Sequence, residues 1–202
     1  MLRSQYQGDM PTNTLSFLDN ITRSTDRMKA LIHDILAYST IESHDTNYDV
    51  VDLNQLAAEV QADLEMAIRD KEAVVQVGVL PQIKGHPAQL KQLFANLLTN
   101  SLKYSKNDVR PEIDVTAEET ENDVILNFKD NGIGFDVMYL DKMFHLFQRL
   151  HSRDKYSGTG IGLAICKKIV AMHGGTITAD SELGTGSVFV VSLPKQIQNW
   201  NG

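Results

Sequence analysis

Gly158, Gly160 and Gly162 alternate through the segment SGTGIGLAI, and Leu163, Ala164, Ile165 and Ile169 then follow at helical spacing. A segment written this way is an open loop that runs into the mouth of a helix. Bare glycines leave backbone N–H groups facing outward, and the helix dipole adds partial positive charge at the same place. Phosphate oxygens are the matching ligand. The run reads equally well as an ordinary surface loop. It fits neither GxxxxGK[ST] nor GxGxxG. The residues around it have to decide.

Length and charge narrow the choices. A chain of 202 residues, 42% hydrophobic and 22% charged, suits one sizeable globular domain with an appendage. Its formal net charge of −7 argues against a nucleic-acid partner, because backbone binders are basic. Cys166 is the single cysteine, so an internal disulfide is excluded; it lies in an apolar helical run and reads as a buried thiol in a reducing compartment. The six histidines are scattered without zinc spacing. No apolar run approaches the roughly 20 residues that a membrane span needs, and no secretory signal pattern is found.

In chain order, residues 12–43 read as one long helix. Leu18, Ile21, Thr25, Met28, Ile32 and Ile35 step alternately by three and four, and Leu31 and Leu36 widen the stripe. Such a stripe calls for a partner helix, a second copy, or the chain's own domain. Asp52 caps a second helix, with Gln55 at the third position and a buried face of Leu53, Leu56, Ala57, Val60, Leu64 and Ile68. Residues 74–79 read as a strand. Pro87 opens a helix whose core face is Leu90, Leu93, Phe94 and Leu97. Strands follow at 112–117 and 123–129, then an irregular stretch over 135–157, then the glycine-led helix, ended by Gly174 and Gly175. Strands at 176–180 and 187–193 close the domain. About five strands and three main helices predict an α+β fold: a two-layer α/β sandwich with a mixed sheet, preceded by a long helix.

Three groups of polar residues stand out. Asn96, Asn100 and Lys103 share one face of the helix that Pro87 opens, with Tyr104 at its edge. They are a solvated face or a phosphate site, in which an amide oxygen suits Mg2+ and a lysine one turn on meets the phosphates. Asp130, Asn131, Gly132, Ile133 and Gly134 follow a strand; they form a plain turn, or a fixed carboxylate that accepts from an adenine amine beside glycines that admit the base. Phe144 and Phe147 sit one turn apart before Arg149, and Arg153 and Lys155 follow. That segment is a satellite core or a basic lid over a triphosphate.

Taken together, NLLTNSLKYS, DNGIGF, FHLFQR, SGTGIGLAI and GTGSVF stand in the order and spacing of the ATP-binding domain of sensor histidine kinases. The chain resembles that family over about residues 49–194, and through it the GHKL superfamily of the Bergerat fold, which includes gyrase, the MutL repair proteins and heat-shock chaperones. RMKALIHDILAYSTIES resembles the second helix of the family's dimerisation and phosphotransfer hairpin. The resemblance implies ATP and Mg2+ as ligands. Asn100 would bind the ion, with Asn96 and Lys103 beside it at the phosphates. Tyr104 would pack near the adenine, Asp130 would bond its amine, and Gly132 and Gly134 would shape the base pocket. Phe144, Phe147 and Arg149 would form the lid. Gly158, Thr159, Gly160 and Gly162 would hinge it and cradle phosphate, Leu163 would wall the pocket, and Gly184, Thr185 and Gly186 would close it. It further implies a partial hairpin over 1–45, a catalytic domain over 46–196 and a tail over 197–202. A homodimer through the first helix and a response-regulator receiver domain would be the partners. The setting implied is cytoplasmic, whether or not the parent protein is held at a membrane.

The family's phosphorylated histidine stands in a box with an acidic residue after it and a proline shortly downstream. His33 and Asp34 begin such a pair, but no proline follows and they lie on the wrong helix. The expectation is that the acceptor histidine and its neighbouring general base belong to sequence before Met1. Two other readings share the pocket: an ATP-sensing dimerisation scaffold without turnover, and a serine kinase of the anti-sigma type. Incubated with γ-labelled ATP, the chain itself is expected to take up no acid-labile label. Stoichiometric label on His33 would overturn that expectation.

Overall fold

The computed structural model describes residues 12–41, 48–148 and 158–195. Its first element is a long helix, α1 (Thr12–Thr40), ending short of the expected residue 43. Most of its apolar stripe is bare: Ile21, Met28, Ile32, Ile35 and Leu36 are exposed. Only its end meets the rest of the chain, where Leu31, Ala37 and Tyr38 pack on the core and Ile41 is buried. No helix among the described residues is long and apolar enough to cross a membrane.

Strand β1 (Asp49–Asp52) leads into α2 (Leu53–Asp63). Asp52 caps this helix as expected; its Oδ1 accepts from the backbone N–H of Asn54 at 2.8 Å and of Gln55 at 3.3 Å. The helix breaks at Leu64, and a short α3 (Glu65–Asp70) carries Ile68 back toward the core. Strands β2 (Val74–Val77) and β3 (Gln82–Gly85) follow. β1 and β3 pair antiparallel as a separate ribbon that the sequence does not announce. Each has four residues, and the buried apolar side chains are Val51 in one and Ile83 in the other, too few to display a period of two. The Asn54 side chain clamps the loop between β2 and β3, bonding both the carbonyl and the N–H of Leu80.

Helix α4 (Pro87–Lys103) begins on Pro87, where a missing N–H costs nothing. Leu90, Leu93, Phe94, Leu97, Leu98 and Leu102 step by three and four, and all are buried. Lys91 bridges to Glu59 and Asp63 of α2 at 3.5 and 3.0 Å. Strands β4 (Glu112–Glu119) and β5 (Asp123–Asp130) form a hairpin, and a 3-10 turn over Val137–Tyr139 precedes a single turn, α5 (Leu140–Met143). The glycine-led helix is α6 (Gly162–Met172). Gly174, at φ +72°, ends it: its N–H bonds Ala171 and that of Gly175 bonds Val170. Strands β6 (Thr176–Glu182) and β7 (Gly186–Pro194) finish the domain.

The main sheet has five strands in the order β2-β4-β5-β7-β6, and only the β2–β4 pair is parallel. Val124, Leu126 and Phe128 of β5 face Leu193, Val191 and Phe189 of β7 across the ladder, so two buried rows merge into one. Helices α2, α4 and α6 cover that side. Phe94 of α4 meets Phe128 edge to face at 5.0 Å. The mixed two-layer sandwich expected from the sequence is therefore the fold, with the β1–β3 ribbon added.

His173 ties the two site-bearing helices together. It is 1% exposed, and it caps the end of α6. Its Nε2 accepts from the His86 backbone N–H at 3.0 Å, so its Nδ1 carries the proton and donates to the Ile169 carbonyl at 2.8 Å. The Tyr48 ring stands edge-on to it at 5.5 Å. Burial, and then nearby His86, hold the imidazole below its ordinary value of 6.5, against the opposing pull of the Ile169 carbonyl. The unfolded chain then binds a proton that the folded one refuses. Stability should be flat above about pH 7 and fall as pH drops through about 6.5, until folded His173 takes up its own proton. Urea unfolding across pH 5 to 8 checks this, and His173→Gln should be less stable at neutral pH but lose that part of the slope.

Candidate functional site

The site begins with strand register. Val124, Leu126, Phe128 and Asp130 alternate onto the inner side of β5, so the last inward position is a carboxylate, only 8% exposed. Its Oδ1 accepts from the Gly132 N–H at 2.9 Å; its Oδ2 accepts from the hydroxyls of Ser187 at 2.7 Å and Ser101 at 3.2 Å. A buried charge needs such donors. Ser187 lies directly across the ladder from Asp130. Both serines lie inside the motif segments NLLTNSLKYS and GTGSVF, yet neither was assigned a role from the sequence. Ser187 could have been found by the period of two that runs back from Leu193, Val191 and Phe189, which makes it an inward polar residue.

The turn after Asp130 is stitched on both sides. Ile133 donates its N–H to the Tyr104 carbonyl at 2.9 Å, and its own carbonyl accepts from Gly184 at 2.8 Å. Gly134 has φ +62°, and a Cβ there would lie 2.1 Å from the Glu182 carbonyl oxygen. No other residue fits that close approach.

Across the cavity, helix α4 presents Asn100, Lys103 and Tyr104 from half-buried positions. The Lys103 ammonium lies 4.5 Å over the Tyr104 ring. It also faces the glycine loop: a Cβ on Gly158, at φ +134°, would stand 2.5 Å from its Nζ. Asn96 points instead to α6, where its amide donates to the Gly162 carbonyl at 3.4 Å and also meets Cys166. Burial pushes the Cys166 thiol up to about 12, and the Asn96 contact pulls weakly the other way, so it stays protonated and inert.

Asn100, Tyr104, Asp130, Gly134 and Leu163 line one cavity with Ile133, Phe135, Met143, Gln148, Ser187 and Phe189. Open solvent at its mouth included, the space among these residues is about 570 Å3. An apolar slot with a few convergent polar groups is the usual form of a small-molecule site. Gly132 sits behind it on Asp130, and Thr159 and Gly160 lie at the loop leading into α6. Three expected residues fall elsewhere. Thr185 turns away, its hydroxyl bonded to Glu182 at 3.1 Å. Of the paired aromatics, Phe144 joins the core, whereas Phe147 is 56% exposed at φ +64° and is not on the cavity wall. Arg149, Arg153 and Lys155 lie outside the described residues.

Comparisons with known proteins give consistent matches. Residues 85–197 match the family described as histidine kinase-, DNA gyrase B-, and HSP90-like ATPase. The chain is similar to cyanobacterial phytochrome A of Nostoc sp., 34% identical over 194 residues, covering 96% of this chain and 25% of the relative. It is similar to the sensor protein kinase WalK of Staphylococcus haemolyticus, 34% identical over 189 residues, covering 90% of this chain and 31% of that one. It thus spans only a quarter to a third of these relatives' length. Among solved structures, the catalytic domain of histidine kinase ThkA superposes with a TM-score of 0.64 at 25% identity, covering 74% of this chain and 99% of that one.

The donors around Asp130 make a stability prediction. Ser187→Ala leaves the buried carboxylate with one hydroxyl fewer and should cost about 1–3 kcal/mol. Ser101→Ala, at the longer distance, should cost less; equal, negligible losses in denaturant titrations of both variants would show that neither bond holds the carboxylate.

Proposed function

Because the chain belongs to the family of histidine kinase-, DNA gyrase B-, and HSP90-like ATPases, we propose that its cavity takes the adenine of ATP and that the chain is the ATP-binding catalytic portion of a sensor histidine kinase. The observation that carries this reading is the placement of a buried, donor-supported carboxylate, Asp130, in the same cavity as Asn100, with Lys103 against the glycine loop.

In this reading Asp130 accepts from the adenine amine. Gly134 brings the backbone close to the base, with Gly132 behind it. Leu163, Met143, Phe135 and Phe189 exclude water around the base, and Tyr104 packs at its edge. Lys103 meets phosphate oxygens, and the backbone of Gly158, Thr159, Gly160 and Gly162 surrounds them at the mouth of α6. Asn96 braces α4 against α6 and keeps the two phosphate-facing elements in register. Phe147 and Arg149 belong to the lid.

A divalent ion fits this donor set. Asn100 offers a hard, neutral oxygen in the cavity wall, and Mg2+ is commonly held by one or two protein groups together with phosphates. When bound, the ion supplies charge neutralisation at the transferring phosphoryl group.

For the whole protein the reaction is transfer of the γ-phosphoryl of ATP to a histidine nitrogen, and later to a response-regulator receiver domain. Residues 46–196 form the catalytic domain in this account. Helix α1 belongs to the dimerisation and phosphotransfer hairpin, with its bare apolar stripe against a second copy.

Calorimetry with adenylyl-imidodiphosphate and Mg2+ should show saturable heat. Asp130→Asn should lower affinity for adenine nucleotides at least about tenfold, roughly 1.4 kcal/mol, since an amide presents a donor where only an acceptor works. Asn100→Asp should weaken the Mg2+-dependent part alone. Parent-like affinity in Asp130→Asn would remove the adenine assignment.

A further inference from the structure

Helix α1, bare along most of its length, touches the glycine loop itself. The Thr159 hydroxyl donates to Oδ2 of Asp34 at 2.5 Å, and accepts from the Ile161 N–H at 3.3 Å, at the start of α6. One turn further along α1, Lys168 of α6 donates to the Tyr38 carbonyl at 2.7 Å, and its ammonium lies 4.5 Å over the Tyr38 ring. The side chain of Asp34 is 30% exposed, whereas that of His33 beside it is 83% exposed, so Asp34 faces the domain and His33 faces solvent. Asp34 and Thr159 are 125 residues apart in sequence.

We propose that Asp34 is a charge latch on the nucleotide site: docked on Thr159, its carboxylate opposes a nucleotide's phosphates, so that α1 docking and triphosphate binding weaken each other. The proposal rests on the nucleotide reading above. Both groups are anions, and both are drawn to the same loop and helix mouth. A carboxylate bonded to Thr159 stands within a Debye length of any phosphate held by Gly158–Gly162, in a part-buried setting where salt screens poorly. Linkage then works both ways: whatever factor the docked helix takes from phosphate affinity, the bound phosphate takes from docking. Asp130, at the adenine end, is bonded to Ser101, Ser187 and Gly132 and shares no bond with the latch. The base and the phosphates therefore respond differently.

That difference supplies the test, made on the full chain by calorimetry. Asp34→Asn keeps the shape and removes the charge. It should bind Mg2+–adenylyl-imidodiphosphate about five- to tenfold more tightly than the parent, while adenosine affinity stays unchanged. The gain should change little as salt is raised, because the pair is part-buried. Spin labels at Met28→Cys on α1 and Glu118→Cys on β4, with Cys166 buried and unreactive, should show the helix displaced by the nucleotide in the parent. Equal nucleotide affinity in Asp34→Asn and parent, with clear binding in both, overturns the latch and leaves the nucleotide reading standing. So does tighter or weaker binding of adenosine and nucleotide alike, which marks Asp34 as a structural support only. A loss of nucleotide affinity in Asp34→Asn overturns it too, since Asp34 would then be orienting Thr159 for phosphate. No binding of either ligand to any variant sinks the nucleotide reading, and the latch with it.

Discussion

The Asp130 carboxylate is the constraint on which the site is built. It is buried because strand register puts it there, after Val124, Leu126 and Phe128 on the same side of β5. A buried carboxylate without donors would cost several kcal/mol. Here the donors come from three different elements: Ser101 on α4, Ser187 on β7 and the backbone of Gly132 in the turn. Satisfying one charge therefore fixes the helix, the neighbouring strand and the loop against each other. The cavity they enclose inherits that precision, which is what a site needs from its supporting shell.

Helix α4 carries this order outward. Its apolar face is locked to the sheet through Phe94 and Phe128, and to α2 through Lys91. Its polar face, set by the same helical repeat, has no choice about where it points. Asn100 and Lys103 reach the cavity and the glycine loop because Leu93, Leu97 and Leu102 are buried. The chemistry of the site is the reverse side of the core.

What could be read from the sequence follows from that relation. Periods of two and of about 3.6 residues run through β4, β5, β7, α2, α4 and α6, so the sandwich and its order of elements were legible. The glycine after Asp130 at position 134 was legible as a point of close backbone approach, though the sequence pointed to a base and the structure puts the Glu182 carbonyl there. The β1–β3 ribbon was not, because four residues with few buried side chains carry no period. Ser101 and Ser187 were hidden for a different reason. A serine looks the same whether it faces water or a carboxylate, and only the register of Ser187 betrays it. The break at Leu64 and the outward turn of Thr185 depend on local geometry that no residue type there dictates. The contact from Asp34 to Thr159 joins two elements whose relative placement is tertiary, and no spacing encodes it.

Helix α4 is also held at both ends by polar bonds, part-buried at its start and buried near its end. At its start, the His86 N–H is taken by His173, which caps α6; near its end, Ser101 is taken by Asp130. An element pinned in this way, with a fully buried face between the pins, opens only when the domain does. Ligand-driven movement must then fall on elements with fewer buried contacts. The glycine loop has none of its residues 158–160 in the core, and α1 leaves most of its apolar stripe in water. These two elements are joined to each other through Thr159 and Asp34. On the proposed reading, a phosphate at the loop would meet a well-packed wall on the α4 side and a sparsely packed one on the α1 side, and a structural response to the nucleotide would fall on α1.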